Sequence, residues 1–132
     1  MSPTEDYRFP IYVRLDDGGV LRIDAKDRIL ADLEPIDIEN DEYLFWDAAG
    51  VACKVMLTGR VGWFHNPNVS GLCKAQNPIT LEEAFREWAS QLGVQVDTTG
   101  TPEQICDQLR SAQANLPRRL NLLSRLFATR RR

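Results

Sequence analysis

The chain has 132 residues, of which 43% are hydrophobic and 27% are charged, and its formal net charge is −3. This length predicts one domain, long enough to bury roughly two thirds of the surface exposed by the unfolded chain. No apolar run approaches the ~20 residues that a membrane-spanning helix needs. The first ten residues lack the basic and apolar regions of a secretory signal, so we do not expect a secreted protein.

Three cysteines, Cys53, Cys73 and Cys106, are widely spaced and odd in number. This spacing does not suit a disulfide framework, and it is typical of a reducing compartment. We therefore expect three free thiols and a cytoplasmic protein. Zinc sites need Cys or His paired at short spacing, and phosphate sites need a glycine-rich motif. Because neither pattern occurs, the sequence predicts no metal site and no cofactor.

Charge is distributed unevenly along the chain. Residues 1–107 contain 9 Lys and Arg against 19 Asp and Glu, a net charge of −10. Residues 108–132 contain seven Arg and no acidic residue, a net charge of +7. This segregation indicates an acidic body and a basic tail, and the tail either lies on that body or contacts a partner.

The N-terminal part predicts a hairpin. Two β-prone runs, residues 11–15 and 20–23, flank the sequence Asp-Asp-Gly-Gly at residues 16–19. Asp and Gly tolerate the positive φ angles of a tight hairpin turn, so the two runs are expected to pair.

A short helix should follow the hairpin. Asp24 is a suitable N-cap for a helix over about residues 25–33, and Pro35 cannot continue that helix. Residues 35–42 are strongly acidic, and we expect them to form an irregular, solvated loop.

Residues 43–64 form the densest apolar stretch and predict the centre of an antiparallel sheet. Asp47 and Gly50 suit the first and last positions of a type I turn, and Gly59 marks a second turn. A strand after each turn gives a three-stranded meander, and the first hairpin extends the sheet to about five strands. Residues 66–77 are rich in Pro, Gly, Ser and Asn, so we expect a loop of about twelve residues there. Loops of this length often have a function.

The second half of the chain predicts helices. Thr80 and Glu83 match a capping box, apolar residues recur at helical spacing, and Gly93 suits the C-terminal end. Trp88 falls on the apolar face of this helix and is expected in the core. Residues 94–96 suit a short edge strand.

A second helix begins after Thr101, which is a good N-cap followed by Pro102 at the first helical position. Pro117 marks a bend. After it, the sequence RRLNLLSRLFATRRR at residues 118–132 predicts a third, basic and amphipathic helix.

His65 is the only histidine, so any histidine-dependent reaction needs it. We place it at the end of the third meander strand, on one face with Val61 and Trp63, with Cys73 in the adjoining loop. An imidazolium beside a thiol lowers the thiol pKa and creates a nucleophile. A small enzyme or ligand binder that uses the 66–77 loop with these two residues is one interpretation. A structural histidine beside an unreactive thiol is the other.

The basic C-terminal segment has several open interpretations. Its leucines could pack on the body of the same chain, on another protein, or on a second copy in a homodimer. The segment could also lie on an anionic membrane surface, or its arginines could bind the phosphates of a nucleic acid. The candidate partner-binding residues are Leu120, Leu123, Phe127, Arg118, Arg125, Arg130, Arg131 and Arg132.

Strands precede helices along the chain, which favours an α+β fold with separate layers. We expect an N-terminal, mostly antiparallel sheet of about five strands with one short helix, followed by three C-terminal helices. Residues 1–97 would form the core domain, and residues 98–132 a helical arm packed on the core or on a partner. The favoured function is a small soluble binding or regulatory module that acts through protein–protein contacts, its acidic face suited to inhibiting a basic partner.

Overall fold

The computed structural model describes residues 7–59 and 67–116, which form an antiparallel sheet with helices on both faces. The strands, in the spatial order β2-β1-β3-β4-β5, are β1 (Ile11–Arg14), β2 (Val20–Ile23), β3 (Leu44–Trp46), β4 (Ala52–Thr58) and β5 (Asn68–Lys74). The helices are a 3₁₀ turn (Lys26–Arg28), α1 (Ile29–Asp32), α2 (Pro35–Glu39), α3 (Leu81–Leu92) and α4 (Pro102–Ala114). The α+β class and the antiparallel sheet of five strands are confirmed.

Strand β1 is buried on both faces of the sheet. Ile11, Tyr12 and Val13 are each at most 2% exposed. Because successive side chains of a strand point to opposite faces, Tyr12 contributes to one core, and Ile11 and Val13 contribute to the other. The sheet is therefore the middle of three layers.

The first core lies between the sheet and helices α3 and α4. Tyr12 contacts Phe85 edge to face, with ring centroids 6.0 Å apart. Trp46 and Trp88 are 1% and 2% exposed, which confirms the prediction that Trp88 is a core residue. Helix α4 contributes to the same core through Ile105, Cys106 and Leu109.

The second core lies on the opposite face, under the 3₁₀ turn, α1 and α2. Ile29, Leu33 and Ile38 from these short helices pack on the sheet. Their partners on the strands are Ile11, Val13, Ile23, Phe45, Cys53, Val55 and Leu72.

Two of the three predicted turns, at residues 16–19 and 47–50, are present, and the third, at Gly59, continues into residues outside the described ranges. In the first hairpin the amide of Leu15 donates to the carbonyl of Gly19 over 2.8 Å. In the second turn, the amides of Ala49 and Val51 each donate to Oδ1 of Asp47 over 2.9 Å. Gly50 has a φ of +81°, a left-handed conformation that explains a glycine at this position.

The segment between β2 and β3 differs from the prediction. Asp24 does not cap a helix, because its carboxylate pairs with Arg22 at 3.2 Å and the 3₁₀ turn begins after Ala25. Residues 35–42 are not an irregular loop throughout, since Pro35 opens helix α2. Proline is favoured in the first turn of a helix, where its missing amide hydrogen is not needed. The proline that was expected to end one helix therefore begins the next, and α1 ends before it at Asp32.

The predicted loop at residues 66–77 is also wrong, because β5 occupies residues 68–74 and pairs with β4 along its length. Asn68, Ser70 and Gly71 resemble turn residues, but they lie in the strand at a β-bulge. The expected edge strand at residues 94–96 is absent, and Val94 and Val96 pack on the first core without strand pairing. The predicted strand containing Val61, Trp63 and His65 lies outside the described residues.

The two predicted helices of the second half are confirmed. Both begin with a complete capping box, formed by Thr80 and Glu83 in α3 and by Thr101 and Gln104 in α4. Gly93 ends α3 with a φ of +71°. The third predicted helix lies outside the described residues, as do residues 117–132 of the arm predicted from residue 98.

Candidate functional site

The candidate residues chosen from sequence fall largely outside the part of the chain that the structure describes. His65 does so, and so do the eight residues of the basic segment, Leu120, Leu123, Phe127, Arg118, Arg125, Arg130, Arg131 and Arg132. Cys73 is described. It lies half-buried in β5, opposite Lys54 of β4, and not in a loop.

The thiols of Cys53 and Cys106 are poor nucleophiles. Burial raises the pKa of the Cys53 thiol to about 12, and burial also raises the pKa of the Cys106 thiol despite the nearby Arg110. A thiol with a raised pKa contains little thiolate at neutral pH. These two cysteines therefore act as small core residues.

The backbone hydrogen bonds of the sheet identify its free edges. In an antiparallel ladder, successive residues direct their amide and carbonyl groups alternately to the two neighbouring strands. The amide of Asp47 donates to the carbonyl of Val51 over 2.9 Å, so Phe45 and Cys53, two residues further, form the next hydrogen-bonded pair. The backbone amide and carbonyl groups of Lys54 and Met56 consequently point towards β5. Those of Val55 and Leu57 point towards the side on which β3 lies.

The outer edge of β2 is covered by α4. The carbonyl of Val20 points away from β1 and accepts from Nη2 of Arg110 at 3.1 Å and from Sγ of Cys106 at 3.8 Å. Further along, Arg22 forms ion pairs with Glu103 and Asp107 of α4. Helix and charge together block strand addition at this edge.

The outer edge of β5 is not covered in this way. In the register with β4, the backbone groups of Gly71 and Cys73 point towards β4. The backbone groups of Val69, Leu72 and Lys74 therefore point outward. Among residues 7–59 and 67–116, no backbone group bonds to these outward groups. The protective devices present are the bulge at Ser70 and the single charge of Lys74.

A groove of about 600 Å³ lies beside the first half of this edge. Its walls include Ala25 and Leu30 from the helical layer and Val69 from β5. Lys26 and Asp27 form its charged rim. The edge therefore offers both backbone hydrogen-bonding groups and a partly apolar recess for a side chain.

A second gap lies at the inner edge of β4. Strand β3 pairs with β4 only at Ala52 and Cys53, and the chain before Leu44 turns away towards α2. A groove of about 650 Å³ runs along β4 beyond this point, with Ile38, Val55, Met56 and Leu57 as its apolar part. In the described part of the chain, no backbone bond from the side of β3 reaches Val55 or Leu57.

Acidic residues border this inner groove. Residues 34–42 contain five carboxylates and no basic residue, and Glu39 lines the groove. Lys54 also lines it and pairs with Asp41 at 3.9 Å. A hydrogen bond with Asp37, together with burial and the charges of Asp37 and Glu34, raises the pKa of the Glu42 carboxyl.

Within residues 7–59 and 67–116 there is no group of three or more Asp, Glu, Cys and His side chains arranged to hold a metal ion. The helices of this part are also too short or too polar to cross a bilayer. Searches among protein-family models, curated proteins and solved structures found no match to this chain. The two strand edges that no described residue covers are the features on which the proposals below rest.

Proposed function

We propose that this protein is a binding module that accepts an extended segment of another protein as a sixth strand, along the outer edge of β5. The difference between the two outer edges of the sheet carries the proposal. One edge is blocked by α4 through Arg110 and Arg22, whereas the edge at β5 has three outward-facing residues without backbone partners among the described residues.

Strand addition suits this edge because the backbone provides most of the hydrogen bonds, and alternate side chains provide specificity. Val69, Leu72 and Lys74 supply the amides and carbonyls for an incoming strand. A bound side chain directed to the helical layer would enter the groove beside Leu30 and Val69. The partner is therefore expected to place an apolar side chain at this point.

This function agrees with the sequence-based expectation of a non-enzymatic module that acts through protein–protein contacts, and it gives that module a surface. A cytoplasmic location suits three free thiols. The enzymatic alternative receives no support from Cys73, which belongs to the strand that would bind the partner.

The test uses proline to remove one outward amide without disturbing the ladder to β4. Lys74→Pro deletes an outward N–H at the exposed end of β5, a position where an edge strand tolerates proline. Lys74→Ala is the matched control, because it deletes the same charge and keeps the amide. Peptides selected from a random phage-displayed library against the full chain should bind Lys74→Pro at least about tenfold more weakly than Lys74→Ala.

Hydrogen exchange supplies an independent readout of the bound complex. A selected peptide should slow exchange of the amides of Val69, Leu72 and Lys74, and leave those of Gly71 and Cys73, already bonded to β4, nearly unchanged. Equal affinities for the two Lys74 variants, or protection of both amide sets alike, would contradict strand addition at β5.

A further inference from the structure

The inner groove beside β4 is a separate surface from the outer edge of β5, and its shape and charge indicate a different occupant. Its apolar part consists of Ile38, Val55, Met56 and Leu57, and Met56 is 37% exposed. Exposed large apolar side chains are few in the described part of the chain, namely Ile36, Val51 and Met56. An apolar recess that contains one of them favours burial by another chain segment.

The charges around this groove favour a basic segment. Five carboxylates lie within residues 34–42, and one of them, Asp41, pairs with Lys54 at 3.9 Å. A hydrogen bond to Asp37 and the negative charges of Asp37 and Glu34 raise the pKa of the Glu42 carboxyl, so these three acidic side chains lie close enough to repel one another when ionised. A guanidinium group placed among them would relieve that repulsion.

Residues 117–132 of the same chain have the complementary chemistry. They contain six arginines and no acidic residue. Their large apolar residues are Leu120, Leu122, Leu123, Leu126 and Phe127. This combination matches an apolar floor with an acidic rim.

The fold brings the end of α4 to the end of the sheet where this groove lies, although α4 packs on the face opposite to Ile38. Glu103, in the first turn of α4, contacts Arg22, and Arg110 further along contacts Val20, so α4 runs antiparallel to β2. Val20 pairs with Arg14 of β1, and Arg14 pairs with Leu44 of β3, at the end where β3 leaves β4. Helix α4 thus ends at the same end of the sheet as the inner groove.

The remaining distance is short enough for the same molecule. Strands β2 and β4 are three positions apart in the sheet, which is about 14 Å at the usual spacing of ~4.8 Å. The passage from the face of α4 to the face of Ile38 adds about 10 Å, the usual distance between packed layers. Sixteen residues follow Leu116. They span about 24 Å as a helix and roughly 50 Å when extended.

We infer that residues 117–132 dock in cis on the inner groove of β4, with their leucines on Ile38, Met56 and Leu57 and their arginines towards the carboxylates of residues 34–42. The segment then covers the part of β4 that β3 leaves unpaired. This contact is independent of the proposed β5 interaction, because the groove lies on the β3 side of β4, whereas the proposed partner binds the outer edge of β5.

Photo-cross-linking of the full chain tests this docking. The photoreactive residue p-benzoylphenylalanine replaces Met56 in the groove, or Val51 as a control that is 51% exposed and lies in the distant turn. After irradiation at low micromolar concentration and trypsin digestion, residues 120–125 or 126–130 should be attached to position 56. The yield should be at least about fivefold higher than from position 51, in a product of monomer mass.

Two charge variants separate the contribution of the acidic rim from the effect of a change in net charge. Glu39→Gln and Gln108→Lys each raise the net charge by one unit, but only Glu39 lines the groove. The cross-linking yield from position 56 should fall several-fold with Glu39→Gln and stay unchanged with Gln108→Lys. Equal responses to the two substitutions would overturn the electrostatic part of the inference.

Hydrogen exchange tests the docking without a photoreactive residue. In a full chain carrying Leu123→Asp and Phe127→Asp, the amides of Val55 and Leu57 should exchange at least about tenfold faster than in the unaltered chain. Unchanged exchange, or absence of C-terminal peptides from the cross-link, would overturn the inference. A cross-linked product of dimer mass would also overturn it, and would assign the groove to a second copy.

Discussion

Burial divides the three cysteines into two classes. Cys53 and Cys106 are each 1% exposed, and the low polarity around them raises both thiol pKa values, that of Cys53 to about 12. Cys73 is half-buried at the side of β5, where a small reagent has access to it. A disulfide reagent should therefore distinguish Cys73 from the other two in the folded protein.

We predict that a thiol-reactive disulfide reagent modifies one thiol rapidly in the native protein at pH 8, and three after denaturation. Cys73→Ser should abolish the rapid phase and leave two thiols that react only in the unfolded chain. Rapid modification of the native Cys73→Ser variant would show that a core cysteine is accessible, and would contradict the burial described above.

Glu42 provides a pH-dependent contribution to stability. The hydrogen bond with Asp37 favours the protonated carboxyl in the folded state, so the folded pKa of Glu42 exceeds its unfolded pKa. This contribution is fully present below the unfolded pKa, and it is lost as the pH rises through the folded pKa. Above the folded pKa, the Glu42 carboxylate is instead repelled by the charges of Asp37 and Glu34.

Glu42→Gln should consequently raise the urea midpoint at pH 7 and have little effect near pH 4. The neutral amide can still donate to Asp37, and it removes the repulsion. Glu39→Gln is the control, because it removes a charge from the adjoining helix α2 without changing the contact between Glu42 and Asp37. A stabilisation by Glu42→Gln that is the same at both pH values would argue against the shared hydrogen bond as its cause.

At the scale of elements, the sequence predicted best those that carry their own local signals. The capping boxes at Thr80 and Thr101 and the glycine at position 93 define α3 and α4 through bonds within a few residues. The turn at Asp47 is defined in the same way by its side-chain bonds to Ala49 and Val51. Such local interactions are recognisable without knowledge of the tertiary structure.

Strand β5 was missed because its stabilising interactions are distant in sequence. The bulge at Ser70 places Val69 and Leu72 on the same face although they are three residues apart, so the period of two is interrupted. The polar residues Asn68 and Ser70 then resemble a loop. Pairing with β4 and packing of Leu72 in the second core override these local preferences, and with β5 the proposed binding edge was missed as well.

The basic tail also has a partly structural explanation. Arg110, one of the seven arginines after residue 107, lies over the ring of Trp88 at 5.8 Å and donates to the carbonyl of Val20. Its charge thus covers the edge of β2 and packs on the first core. The functional interpretation of the tail concerns the other six arginines, which follow Pro117.

At the scale of the whole molecule, the two cores depend on one shared strand. Tyr12 of β1 belongs to the core under α3 and α4, and its neighbours Ile11 and Val13 belong to the core under α1 and α2. Loss of either core would leave half of the β1 side chains without packing partners. The two cores should therefore unfold together, in one cooperative transition.

This cooperativity can be tested with a substitution in one core and a probe in the other. Leu33 is 4% exposed in the second core, whereas Trp46 and Trp88 lie in the first, so the tryptophans report on a core that does not contain the substitution. In a Trp63→Phe background, which leaves these two tryptophans as the fluorescent probes, Leu33→Ala should lower the stability by about 2–5 kcal/mol. Tryptophan fluorescence and circular dichroism should give the same urea midpoint and an unchanged slope. A fluorescence midpoint that stays at the unaltered value while the circular dichroism midpoint falls would mean that the cores unfold separately, and that β1 does not couple them.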